Sequence, residues 1–358
     1  MPLSSLLITG GAGFVGSALA LRFQQAYPAC RVLALDNLKR RGSELNLPRL
    51  RAGGVEFVHG DIRNPEDFDS LPPVQAVIEA SAEPSVLAGL TSAPDYLINT
   101  NLSGTVNCLN YARRHQAAFV FLSTSRIYPI NQIEKIRLRE AETRFEIAAE
   151  QPDLPAGISP RGLAEDFPLE GYRSLYGATK LCSEYLIQEY HHFYGLPTLI
   201  NRCGVLTGPW QMGKADQGVV VLWVARHFWQ QPLAYVGFGG TGKQVRDVLH
   251  VDDLYDLVDY QLSNLGKVNG QTFNVGGGRN SSVSLLELTD LCQRITGHTV
   301  SISSQAENRP ADIALYLTDN ARVTQLTGWQ PRRGVEQMVG DVHEWLRANE
   351  AELRPILR

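Results

Sequence analysis

Through the first half of this 358-residue chain, short apolar runs alternate with amphipathic stretches. Leu6-Leu7-Ile8, Val32-Leu33-Ala34-Leu35, Val55-Glu56-Phe57-Val58, Ala76-Val77-Ile78 and Phe119-Val120-Phe121-Leu122 read as strands, with helix-like segments such as 16–26 and 95–114 between them. Nearly continuous apolar strands separated by helices predict an α/β fold with a parallel sheet covered on both faces, because each strand buries both of its sides. In such a sheet ligands bind beyond the carboxyl ends of the strands, so candidate chemistry is sought just after each run.

From 129 to 170 the rhythm breaks. The charged stretch 134–150 is predicted as a helix, and 151–162, rich in Pro and Gly, as a loop; together they read as an excursion over the site. A long helix over 176–194 and a strand over 197–202 resume the pattern. After Cys203, Gly-rich turns and short helices suit a cap, while 248–265 reads as a strand and helix returning to the large unit. The predicted division is 1–203 plus about 248–275 for a doubly wound sheet, with 204–247 and 276–358 forming a smaller C-terminal substrate-binding lobe.

Composition changes this picture little. With 44% hydrophobic and 20% charged residues the chain is ordinary for a globular protein. A net charge of −4 offers no footprint for nucleic acid or an anionic membrane, so a phosphate-bearing ligand must be held by local devices. The five cysteines are scattered, without C-x-x-C or zinc spacing, which favours a reducing compartment and no metal. The start runs into a strand without a charged-then-apolar leader, and no stretch approaches eighteen apolar residues. A cytoplasmic protein is expected, and the N-x-S/T triplets at Asn101 and Asn280 carry no weight.

Two constellations carry chemistry. Leu6-Leu7-Ile8-Thr9-Gly10-Gly11-Ala12-Gly13-Phe14-Val15-Gly16 is a strand, then glycines spaced G-x-x-G-x-x-G, then a helix. Glycines let backbone approach a pyrophosphate, whose charge sits at the positive end of the helix. Asp36 ends the second strand 20 residues after Gly16, where an acid can accept ribose hydroxyls. That acid repels a 2′-phosphate and favours NAD over NADP, against a counter-signal from Lys39, Arg40 and Arg41. Gly60-Asp61-Ile62-Arg63, after the third strand, is a candidate frame for an adenine. Together these features predict a Rossmann-type dinucleotide fold.

In Ser174-Leu175-Tyr176-Gly177-Ala178-Thr179-Lys180, Tyr176 and Lys180 stand four apart at a helix start, on one face. A free phenol, with pKa about 10, is a poor base at neutral pH. A nearby ammonium and a cationic nicotinamide are expected to lower that value, so that Tyr176 takes a proton from a sugar hydroxyl. Thr124, in Leu122-Ser123-Thr124-Ser125 at the fifth strand end, is placed to bond the same oxygen. By contrast, Gly237-Phe238-Gly239-Gly240-Thr241-Gly242-Lys243-Gln244 nearly fits a nucleotide-hydrolase phosphate loop. It has Gln244 where magnesium needs Ser or Thr, and it lacks a convincing preceding strand in the right lobe. His191-His192 reads as an ordinary helix face.

On the Gly loop, Asp36, Gly60-Asp61, Asn101 in Asn101-Leu102-Ser103-Gly104-Thr105, Thr124, Tyr176 and Lys180, the chain resembles the extended short-chain dehydrogenase/reductase family along nearly its whole length. Further runs are similar to the branch that epimerises CDP-linked sugars at C2. They are Leu35-Asp36-Asn37-Leu38, Glu142-Thr143-Arg144, Asp216-Gln217-Gly218, Gly242-Lys243-Gln244-Val245-Arg246-Asp247-Val248-Leu249-His250 and Ser284-Leu285-Leu286-Glu287-Leu288. The resemblance implies tightly held NAD and a nucleotide-diphosphate sugar as substrate. It assigns catalysis to Thr124, Tyr176 and Lys180. Cofactor contacts fall on Gly10, Gly13, Phe14, Val15 and Gly16, on Asp36, Asn37, Asp61 and Ile62, and on Asn101, Tyr176, Lys180 and Cys203. Arg246 and Arg309 become diphosphate partners, with Gln217 and Gln244 also facing substrate. Pairing of subunits through 95–114 and 176–194 is expected by the same analogy.

The departures are local. Glu79 stands where that family commonly has His, Pro129 where Gly is usual, and the excursion after it is long. Related 4,6-dehydratases commonly carry an Asp-Glu pair after the threonine, whereas this chain has Ser125-Arg126. A UDP-sugar 4-epimerase, another sugar-nucleotide enzyme, or an NAD-sensing module without chemistry are the rival readings.

Overall fold

The apolar runs become the strands they predict. The computed structural model describes residues 3–90, 92–151, 156–213 and 217–357; Asp216 and residues 152–155 of the Pro- and Gly-rich run lie outside them. Seven strands form one sheet in the order Gln271–Val275, Thr198–Cys203, Ala118–Thr124, Ala76–Glu79, Ser5–Thr9, Arg31–Asp36 and Glu56–His59. Every neighbouring pair is parallel. The strand order reverses beside Ser5–Thr9, and this reversal opens the crevice in which doubly wound sheets hold ligands.

Helices cover both faces. Phe14–Ala26 and Val251–Ser263 lie on one side, where Phe23 meets Tyr255 edge-on at 5.0 Å. Gly104–His115 and Leu175–Tyr194 lie on the other, packing Cys108, Leu109 and Ile187 against Val77, Phe119 and Ile200. Each such aliphatic side chain stabilises the fold by about 1.5–3 kcal/mol on burial. The helix predicted over 95–114 is continuous from Asp95 but contains one wide, π-type turn at Asn99–Ser103. Such turns often mark functional sites.

The strand expected near 248 is Val245–His250, and it does not join the large sheet. It pairs with Val205–Thr207, Ser282–Ser284 and Leu315–Tyr316 in a separate small sheet. The helix after it, Val251–Ser263, returns to pack on Phe14–Ala26, and the strand Gln271–Val275 joins the large sheet. Helices Val219–Phe228, Leu285–Thr296 and Val335–Ala348 close a further core around Trp223, Leu288 and Val342.

One expectation here is corrected. The stretch 134–150 is not a helix; Leu138–Glu140 and Phe145–Ile147 form an antiparallel hairpin. Its apolar residues Leu138, Phe145 and Ile147 pack on Val245, Leu315 and Leu317, and alternate in strand fashion between charged neighbours. Arg144 clamps the hairpin by a bidentate contact to Glu287, whose own carboxylate caps Leu285–Thr296. The strand before the glycine run 237–244, Leu233–Val236, lies outside the large sheet, and the run passes through a short 3-10 turn, Phe238–Gly240, into another strand and no α-helix. Gly239, Gly240 and Gly242 all take positive φ there, so no helix start faces a phosphate.

Candidate active site

The glycine loop is shaped by space that only glycine leaves. Gly10 has φ +63°, and a Cβ there would lie 2.9 Å from the Ala80 backbone. A Cβ on Gly16 would lie 2.1 Å from the Gly10 carbonyl oxygen. The loop thereby folds tightly into helix Phe14–Ala26, whose first residues receive no side-chain cap from Gly13. Phe14 and Val15 open that helix, Val15 against the core. Its free amides and positive end make an anion seat.

Asp36 is tied to this loop. Its carboxylate accepts from Ala12 N at 3.1 Å and from Leu38 N at 2.8 Å, and burial raises its pKa. Two of about four lone-pair positions are thus used, leaving both oxygens able to take hydroxyl protons. The three cations behind it are engaged elsewhere. Lys39 lies 3.6 Å from the Tyr96 ring centroid, Arg40 bonds Gln217 and the Met212 carbonyl, and Arg41 bonds the Pro355 carbonyl. Asn37 donates to Asp61 at 2.9 Å. Burial pushes the Asp61 carboxyl up, but Arg63 and Asn37 outweigh it and hold the pKa at about 2. Ile62 is buried under the helix Gly104–His115, in van der Waals reach of Gly104.

Thr9, Asp36, Glu79, Thr124 and Cys203 all close their strands on the same edge. Above that edge, Ser174 caps the helix that carries Tyr176 and Lys180 by accepting from Gly177 N at 3.2 Å. Tyr176 is half-buried, with Thr124 as its hydrogen-bond partner. The lowering expected from Lys180 is not what the structure shows. Burial dominates and pushes the phenol up to about 12, with Thr124 and Arg126 pulling it back. Lys180 is not among the groups that act on the phenol; it is 2% exposed, with its Nζ 3.7 Å from the Phe121 ring centroid. Burial lowers its pKa, while Glu79 opposes that.

Glu79 is fully buried beside Phe121 in register. One oxygen accepts from Thr105 at 2.7 Å, and the other has no partner among the described residues. Burial raises this carboxyl well above the usual range, against the pull of Lys180. Asn101 lies beneath the site, its side chain spent on the Glu83 backbone and on Thr179. Its role in the geometry is to hold the segment after the fourth strand against the tyrosine helix. Cys203 pairs in register with Thr124, and burial pushes its thiol up to about 12, leaving it unreactive.

A cavity of about 540 Å³ adjoins this edge, and Gln217, Gln244, Arg246 and Arg309 all line it. Arg246 is ion-paired with Asp312 at 2.7 Å. Gln244 donates to the Val236 carbonyl, and its Oε1 lacks a partner among the described residues. Among the charged lining residues, sequence reasoning missed Arg126, Arg226 and Asp312. The signal for Arg126 was its position straight after Thr124-Ser125; Asp312 carried none.

The chain belongs to the NAD dependent epimerase/dehydratase family, whose profile matches residues 6–276. It is therefore an NAD-dependent enzyme. It is 31% identical to CDP-paratose 2-epimerase of Salmonella typhi, over 95% of this chain and 98% of that one. It is 30% identical to dTDP-glucose 4,6-dehydratase of Streptomyces antibioticus, over 98% and 95%. Among solved structures, UDP-glucose 4-epimerase of Thermus thermophilus in complex with NAD superposes with a TM-score of 0.75 at 25% identity, covering 96% and 99%. The residues present fit NAD: a glycine cradle that any Cβ would fill, an uncapped helix start, and an acid with open lone pairs.

Proposed function

We propose that this enzyme epimerises a nucleotide-linked sugar at C2, of the CDP-paratose/CDP-tyvelose type, through transient oxidation to a keto sugar. The observation that supports this reading is Thr124 beside Tyr176 at the sheet edge, with Lys180 one turn on along the same helix and a cavity lined by Arg246 and Arg309 alongside. Bound at the glycine cradle, NAD would supply a hydride acceptor that becomes a donor, and a positive ring beside the phenol. Tyr176 removes the hydroxyl proton at its Oη and later returns it. Thr124 orients the same oxygen and, with Arg126, favours the phenolate, while Lys180 would hold the nicotinamide ribose. Arg246 and Arg309, with Gln217 and Gln244, grip the nucleotide diphosphate while the sugar turns. On this reading 1–203 plus about 248–275 serve the cofactor, and 204–247 with 276–358 serve the substrate.

Five unpaired cysteines suit a cytoplasmic enzyme. Exposed Leu175, Tyr185 and Phe193 on the tyrosine helix support pairing of subunits into a dimer or tetramer. The likeness to dehydratases keeps elimination as a second reading, and Ser125-Arg126 in place of two acids weighs against it. The test is to incubate the purified protein, without added cofactor, with CDP-paratose and follow the sugar by NMR. Conversion to CDP-tyvelose is expected. Loss of water, conversion only of UDP-glucose to its C4 epimer, or stoichiometric NADH build-up would overturn the C2 reading.

A further inference from the structure

After Thr124 the chain turns through Ser125–Ile127 against the start of the tyrosine helix. The seat is close, because a Cβ on Gly177 would lie 2.1 Å from the Arg126 carbonyl oxygen. The Arg126 amide also donates to Thr124 Oγ1 at 3.2 Å. Its backbone is thus fixed next to both the phenol and the alcohol of the site. From this rigid point its side chain lines the cavity shared with Arg246, Arg309 and Gln217.

The guanidinium is under-used by the protein. Nη1 donates to the Ala311 carbonyl at 3.2 Å, whereas a guanidinium carries five N–H donors. No carboxylate lies within salt-bridge distance of it among the described residues, while its neighbour Arg246 has Asp312. Burial and repulsion from Arg246 bring its pKa down to about 10, and Asp312 and Tyr176 oppose the shift. Its remaining donors face a cavity that Arg246 also lines, so positive charge collects there with no carboxylate in contact with Arg126 among the described residues. The arrangement is relieved when a ligand brings its own anion.

We propose that Arg126 binds the phosphate adjoining the sugar in a nucleoside diphosphate sugar. This rests on the nucleotide-sugar reading above and extends it to the placement of the sugar. The phosphate hangs on the anomeric carbon, C1, and C2 is its direct neighbour, whereas C4 lies across the ring. A phosphate-binding cation seated beside the phenol therefore brings C2 to Tyr176 with a short reach. The same cation, standing where elimination would need an acid, leaves no proton donor for a leaving hydroxyl.

The experiment is calorimetric titration of the NAD-loaded wild type and of the variants R126A, R126Q and R126K. The probes are CDP, UDP and dTDP, each beside its monophosphate, and the diphosphate that wild type binds tightest is used throughout. R126A is expected to weaken that diphosphate at least about tenfold while changing the monophosphate less than about threefold. R126Q keeps a donor for the Ala311 carbonyl but no charge, and should behave like R126A. R126K keeps the charge and should recover most of the affinity. Equal loss of mono- and diphosphate, or an R126Q that binds the diphosphate like wild type, would overturn the role of Arg126 alone. A wild type that binds none of the three diphosphates would overturn the nucleotide-sugar reading, and this proposal with it.

Discussion

The sheet edge and the cavity next to it handle charge in opposite ways. At the edge, polar groups are spent on one another: Ser183 on the Asn101 carbonyl, Thr105 on Glu79, Asn101 on Glu83 and Thr179. The cations there are few and deeply desolvated. On the cavity side Arg126, Arg246 and Arg309 line a pocket with apolar walls that include Leu87, Val219 and Leu285. The contrast separates two tasks. Groups that pass a proton need fixed geometry, which a closed internal network provides. Groups that recognise a ligand need donors still open to it, as the Arg126 guanidinium has beyond its bond to the Ala311 carbonyl.

Three substitutions break or sharpen that contrast. The largest effect is expected from Tyr176→Phe, which keeps the ring packing and removes the proton carrier. Turnover should fall by roughly 10²–10⁴-fold while the absorbance of protein-bound NAD is unchanged. A variant with more than a tenth of wild-type turnover would move the base elsewhere. On the cavity side, Arg246→Ala should raise KM by tens of fold with kcat little altered, since a charge-assisted contact is lost to ground and transition states alike. A fall in kcat with KM unchanged would instead place Arg246 with the chemistry.

The smallest effect concerns Asp247, the fully buried neighbour of Arg246, whose carboxylate accepts from Gly278 N at 3.0 Å. Burial raises its pKa from 3.8 to about 6. Because the folded value exceeds the unfolded one, this group favours folding at low pH, and that advantage is lost as pH climbs from about 4 through 6. Asp247→Asn does not titrate. Wild type should therefore lose on the order of 2–3 kcal/mol relative to D247N between pH 4 and pH 7, as measured by urea unfolding. A stability gap that stays constant with pH would show that Asp247 ionises in the folded state as it does in the unfolded chain.

Much of the cofactor side was legible in advance because its signals are local. The apolar runs that became strands, the glycines that admit no Cβ, and Tyr176 one turn before Lys180 each depend on neighbours a few residues away. Asp36 was readable for the same reason, standing at the end of the second strand. The hairpin near 140 was misjudged although its alternation was present. Its charged composition suggested a helix, and the surface it covers, Val245 with Leu315 and Leu317, comes from far along the chain.

Periodicity and turn chemistry along the chain determined the parallel sheet, the dinucleotide loop and the spacing of the phenol and amine. Only folding decided which charges meet. Arg144 reached Glu287 across 143 positions, Arg246 reached Asp312 across 66, and Glu79 was enclosed beneath Lys180. A charged side chain has the same identity in water or in the interior. Its pKa and its partners are set by burial and by groups distant in sequence, and those exist only once the elements have packed.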